Sequence, residues 1–173
     1  MYVYDATPNN IRKMVIMNAL DRIDYEIIRL LRNNARLSNK ELAEQVGLAP
    51  STCLVRTRLL QQSGVITGFK AEVNPAKLGV GLQALISVRL KRHYKPDVEA
   101  FRQHALELPE VVRFYHVAGP IDFLVHVWTK DSEHLRHLAM TAFTSREEVS
   151  HIETELIFEH VSCRELPTFV GEM

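Results

Sequence analysis

Apolar residues recur at helical spacing from Asp21 onward: Ile23, Ile27, Ile28, Leu30 and Leu31 share a face until Asn33-Asn34 interrupts it. That pattern predicts an amphipathic helix packed on a core. Ser38 is placed to cap a second helix, and Glu41, three residues on, completes a capping box. This helix runs through Leu42 and Val46 and stops at Gly47, where a residue able to take positive φ is needed. Ala49-Pro50 opens a third helix, with Pro in a first-turn slot where its missing N–H does no harm. The third helix carries Cys53, Leu54 and Leu60 and ends near Ser63-Gly64.

The period changes at Val65. Val65-Ile66 and the stretch from Phe69 to Val73 predict a short strand pair or wing, broken at Asn74-Pro75. After Gly79 and Gly81 the chain predicts strand 82–90, helix 96–108, strands 111–118 and 121–129, helix 132–143 and strand 150–161. That order, βαββαβ, is the ferredoxin-like split unit. The expected class is therefore α+β. Residues 17–64 form a three-helix (winged) helix-turn-helix domain, 65–80 a β-strand linker, 81–166 the βαββαβ domain and 167–173 a tail. Met17 reads as a second possible start, which sets residues 1–16 apart as an extension.

Two of the predicted strands are apolar on both faces. Ile121-Asp122-Phe123-Leu124-Val125-His126-Val127-Trp128 barely alternates, nor does Leu85-Ile86-Ser87-Val88. A sheet with helices on one face only should alternate. The chain has too few helices to cover both faces, so a second copy is expected to cover one, giving a symmetric dimer.

Composition changes the picture only when the chain is divided. Formal net charge is zero over the 173 residues. Residues 17–80 hold nine Lys+Arg against six Asp+Glu, or +3, and residues 81–173 hold ten against fourteen, or −4; the first sixteen contribute +1. Positive charge thus sits with the helical segments. No apolar run approaches the roughly eighteen residues that span a bilayer, and the first sixteen lack signal-peptide order. A cytoplasmic protein without membrane contact is expected, with Cys53 and Cys163 reduced.

The helical segments carry nucleic-acid chemistry. A helix-turn-helix needs a small residue where its helices meet, a positive-φ turn four residues later and an apolar residue six beyond. Ala43, Gly47 and Cys53 meet those offsets. On the third helix Ser51 and Thr52 lie at the N-terminal end, which enters the major groove. Arg56 is the candidate for a bidentate guanine contact. Arg58, and Lys40 in the helix before, suit phosphates, though a solvated charged face would show the same residues. Ser38 and Asn39, beside Lys40, complete the DNA-facing set.

Here the chain resembles a family. Leu20-Asp21-x-x-Asp24, Arg36-Leu37-Ser38-Asn39-x-Glu41-Leu42-Ala43, Val46-Gly47-Leu48-x-Pro50-Ser51-Thr52-Cys53-Leu54-x-Arg56 and Gly64-Val65-Ile66-x-Gly68 are similar to the leucine-responsive and asparagine-operon (Lrp/AsnC) regulators. The resemblance covers about residues 18–166. It implies a transcriptional regulator binding double-stranded DNA, with a β-linker and a RAM/ACT-like βαββαβ domain. That domain dimerises, builds octamers or similar rings, and often binds amino acids. Val55 and Leu59 depart from the family's usual charged residues, and Thr57 from its usual aliphatic one. Val55 lies on the outer face, where contact with a thymine methyl or packing on another element would suit it.

The resemblance also implies an effector site. Gly119-Pro120-Ile121-Asp122 matches the family's Gly-x-x-Asp turn, and the implied lining is Tyr115, Ala118, Gly119, Asp122 and Glu155. There a glycine backbone admits a ligand and Asp122 would hold an ammonium group, while Pro120 removes one amide donor. A plain hairpin turn with a capping Asp is the alternative. All eight histidines lie past residue 80, yet no Cys or tight His spacing supports a metal site, and none is expected. No cofactor is expected beyond an amino-acid effector. The main competing function is an enzyme: siroheme decarboxylases resemble the same two-part architecture, although no catalytic dyad stands out in this chain. An architectural DNA-wrapping protein is a third reading.

Overall fold

The structure, a computed structural model, describes residues 20–161. The expected extension (1–16), tail (167–173) and Cys163 lie outside the described residues. The chain divides into two compact units between Glu72 and Val73.

In the N-terminal unit three helices form where periodicity and caps place them: α1 (Arg22–Asn33), α2 (Asn39–Gln45) and α3 (Pro50–Gln62). Asp21 caps α1 reciprocally with Asp24, and Ser38 caps α2 reciprocally with Glu41. The Ser38 hydroxyl, then its backbone N–H, hold the Glu41 carboxyl below its ordinary range. Gly47 takes φ 69° and Gly64 φ 78°, ending α2 and α3 at the predicted turns. Ile27, Leu31, Leu42, Ala43, Cys53 and Leu60 close the core, each at most 6% exposed.

One expectation fails here. Residues 65–73 form no strand in the described chain. Their apolar pattern is present, with Phe69 and Val73 about half exposed, but a strand needs a neighbouring backbone to bond, and among the described residues none pairs with it. The linker is also divided: Asn74 caps a short 3₁₀ turn, Pro75–Leu78, that belongs with the C-terminal unit.

The C-terminal unit follows the predicted order: β1 (Leu82–Leu90), α4 (Lys95–Glu107), β2 (Val111–His116), β3 (Phe123–Thr129), α5 (Ser132–Leu138) and β4 (Val149–Leu156). The strands form one antiparallel sheet in the order β2-β3-β1-β4. The α5 helix continues as a π-helical turn, Ala139–Thr144, where the Ser145 N–H reaches the Met140 carbonyl. β4 ends at Leu156 rather than 161.

Register separates the two sheet faces. Ala84, Ile86, Val88, Phe123, Val125 and Val127 face the helices and are fully buried with Phe101, Ala105 and Phe143. Phe101 on α4 stacks on Phe123 at 4.9 Å between ring centroids. The opposite face carries Gln83, Leu85 and Ser87 beside Trp128, His126 and Leu124. Burial there is uneven rather than complete: Ser87 and His126 are buried, while Leu85, Leu124 and Trp128 are only half-buried. Burial, then the charges of Arg113 and His160, push the His126 pKa down. The Trp128 indole Nε1 is buried without a hydrogen-bond partner among the described residues. Among those residues no helix is long and apolar enough to cross a membrane.

Candidate nucleic-acid interface and effector turn

The α2–α3 pair is held by side chains that the sequence reading assigned to DNA. Asn39 Nδ2 donates to the Pro50 carbonyl at 2.8 Å, tying the start of α2 to the start of α3. The Ser38 hydroxyl is taken up by Glu41. Arg56 departs furthest from expectation. Its Nη1 lies 2.7 Å from Asp21 Oδ2 and 2.9 Å from Asp24 Oδ1. These two carboxylates begin α1, and hydrogen bonding to Asp24 and then Asp21 holds the guanidinium firmly protonated. The predicted guanine contact is therefore corrected. Arg56 lies on the flank of α3 that faces α1, and its charge is neutralised within the unit. Ser38 and Asn39, also expected to face DNA, act in this structure as residues that position α2 and α3.

The remaining predicted residues are exposed: Lys40, Ser51, Thr52, Val55 and Arg58. None of their side chains makes an ion pair or hydrogen bond with a described residue. Val55 is 56% exposed, so it does not pack on another described element. α3 begins at Ala49, which provides no side-chain cap. Pro50 has no N–H, so the Ser51 and Thr52 N–H groups open the helix as donors unclaimed by a cap. A helix start of this kind attracts a phosphate oxygen. Asp21 and Asp24 are what the sequence reading missed. Their signal lay in the Asp21-x-x-Asp24 motif, but nothing local linked it to Arg56, 32 residues beyond Asp24.

In the C-terminal unit the β2–β3 turn carries Ala118 and Gly119 exposed, with Gly119 at φ 148°. Asp122 is 3% exposed. β1–β3 pairing ends at Val88↔Phe123, which leaves the Leu90 N–H past the ladder; Asp122 Oδ2 accepts from it at 2.7 Å. Asp122 Oδ1 lies 2.8 Å from His93 Nδ1. Asp122, expected either to hold an ammonium group or to cap a plain turn, is engaged on both oxygens in this structure. Tyr115 and Glu155 share the face opposite the helices but lie on the two edge strands. Three strand spacings separate them, roughly 14 Å, so one chain does not bring the five predicted residues together. Among the described residues no three His, Cys, Asp or Glu side chains are placed to share a metal ion.

Two family models match the chain: the Lrp/AsnC ligand binding domain over residues 83–167 and a winged helix-turn-helix DNA-binding model over residues 20–67. The HTH-type transcriptional regulator AldR of Mycolicibacterium smegmatis is 43% identical over 142 residues, covering 82% of this chain and 83% of that protein. The leucine-responsive regulatory protein of Rhizobium meliloti is 34% identical over 148 residues, covering 86% and 95%. The chain belongs to the Lrp/AsnC family. It is a DNA-binding transcriptional regulator. Solved relatives agree in fold as well as sequence. Escherichia coli AsnC superposes with TM-score 0.76 at 28% identity, covering 86% of this chain and 98% of AsnC. The Neisseria meningitidis regulator NMB0573, solved as an L-Met complex, gives TM-score 0.78 at 30% identity, covering 84% and 94%. Both of these curated relatives are named as regulators.

Proposed function

We propose that this regulator reads double-stranded DNA with α3 and that an amino acid bound at the β2–β3 turn of the assembled protein changes its DNA affinity. The observation that carries the DNA half is the start of α3. Ser51, Thr52 and Val55 stand exposed around uncapped N–H donors, while Lys40 and Arg58 flank them with charge that no described residue pairs. The hydroxyls and the Val55 methyls meet base edges, and the two cations and helix N–H groups meet phosphates. The L-Met complex of the Neisseria relative supports an amino-acid effector.

The test is a titration of the full chain on DNA from upstream of its own gene and on a scrambled duplex, with and without each of twenty amino acids. Lys40→Ala should weaken both duplexes alike and lower the salt slope by about one. An unchanged slope would remove Lys40 from the interface. No response to any amino acid would sink the effector half.

The same reading makes the half-buried face of Leu85, Leu124 and Trp128 the surface where a second copy packs, and such dimers the units of a larger ring. The half-buried apolar side chains there support it. Light scattering on the full chain at micromolar concentration should return a dimer or larger. A stable monomer refutes this assembly.

A further inference from the structure

Asp122 is the most deeply buried acidic side chain described, and its surroundings are specific. Its backbone N–H donates to the Val88 carbonyl, its carbonyl accepts from Val117 N–H, and its Oδ2 accepts from Leu90 N–H. Those bonds fix the carboxylate where β1 ends beside the β2–β3 turn. Among the described residues Oδ1 has one partner, His93 Nδ1 at 2.8 Å, from the loop between β1 and α4. The two partners differ sharply in exposure: the Asp122 side chain is 4% exposed and that of His93 is 79%. A buried carboxylate needs a donor on each oxygen, because an uncompensated charge away from water is heavily disfavoured. For Oδ1 that donor is a mobile-length side chain standing almost wholly in solvent.

We infer that His93 is a built-in competitor for the effector: its imidazole N–H occupies the oxygen of Asp122 that an amino acid's ammonium group would take, and must swing out before the ligand binds. This rests on the effector reading above. The swing is open to His93, since no other hydrogen bond or ion pair holds its side chain among the described residues. The Leu90 N–H keeps Oδ2 in place throughout, so only one oxygen changes partner. A ligand without an ammonium group brings no charged donor to that oxygen. Apparent affinity is then lowered by the fraction of molecules in which His93 is closed.

The test is calorimetry on three full-length proteins, the parent, His93→Ala and His93→Asn, with L-methionine and the other nineteen amino acids as probes. A control probe is 2-hydroxy-4-methylthiobutanoate, methionine with hydroxyl in place of ammonium. His93→Ala should bind an amino acid about three- to tenfold tighter than the parent, the range expected when a contact to a mostly exposed side chain no longer has to open. His93→Asn, which keeps a neutral N–H donor, should fall between the two, and the hydroxy control should gain nothing. Equal or weaker binding by His93→Ala, or an equal gain for the control, overturns the competitor role while leaving the effector reading intact. If none of the three proteins binds any of the twenty, the effector reading itself fails and this inference with it. If only His93→Ala binds, both stand.

Discussion

Arg56→Ala is expected to destabilise the N-terminal unit by about 1–3 kcal/mol and to weaken binding to operator and scrambled duplex by the same factor. The reason is where the guanidinium goes. It closes the start of α1 against α3 by pairing with Asp21 and Asp24, and the Asp24 side chain is only 12% exposed. Removing the cation leaves that carboxylate without its partner in a place water barely reaches. The lower end of the range reflects Asp21, whose half-exposed side chain recovers much of its solvation. Thermal melts and paired gel shifts decide it. A loss confined to the operator, with an unchanged melting temperature, would return Arg56 to the groove. Acid should act similarly on the parent. The Asp24 N–H, then Arg56, hold the Asp21 carboxyl below its ordinary 3.8. A lowered folded value means the pairing stabilises above about pH 4 and is lost as pH falls further.

Phe101→Ala should have the larger effect, about 3–5 kcal/mol, as for other buried aromatic truncations. Phe101 is fully buried, stacked on Phe123 at 4.9 Å and tilted against Phe143 at 6.1 Å. It joins α4, the sheet and the turn after α5, so no neighbouring ring can collapse into its place without leaving another partner. The two units keep separate cores, one around Ile27 and Cys53, the other around Phe101. Urea unfolding of Phe101→Ala should therefore lose C-terminal structure first, with the helical unit melting near its parental midpoint. A single transition, shifted as a whole, would show that the units unfold together.

The helix-turn-helix was legible because its signals are local. Ser38 and Glu41, Gly47, and Pro50 each act within a turn of where they stand, and the structure puts α2 and α3 on those marks. The order of strands and helices was legible for the same reason. What could not be read locally is which polar group a side chain meets. Arg56 and Asp24 are 32 residues apart, and so are Leu90 and Asp122. In both pairs a side chain that looked available for a ligand is engaged by a distant element. The stretch from Phe69 to Val73 fails differently: strand propensity was present, but a strand is a property of two backbones, and no second one pairs with it among the described residues.

The uncapped start of α3 has a consequence for how this protein can be improved. Ser, Asp or Asn at an N-cap is worth about 1 kcal/mol over Ala, so Ala49 marks a position where stability is readily gained by substitution. The same side-chain oxygen would fold over the donors beside Ser51 and Thr52, and Asp would add a negative charge facing the phosphates. If α3 meets DNA as proposed, any programme that ranks variants by melting temperature would select those substitutions and lose DNA affinity with each. On that reading thermostability and function are opposed at Ala49, and a screen for a sturdier regulator has to exclude that position from the start.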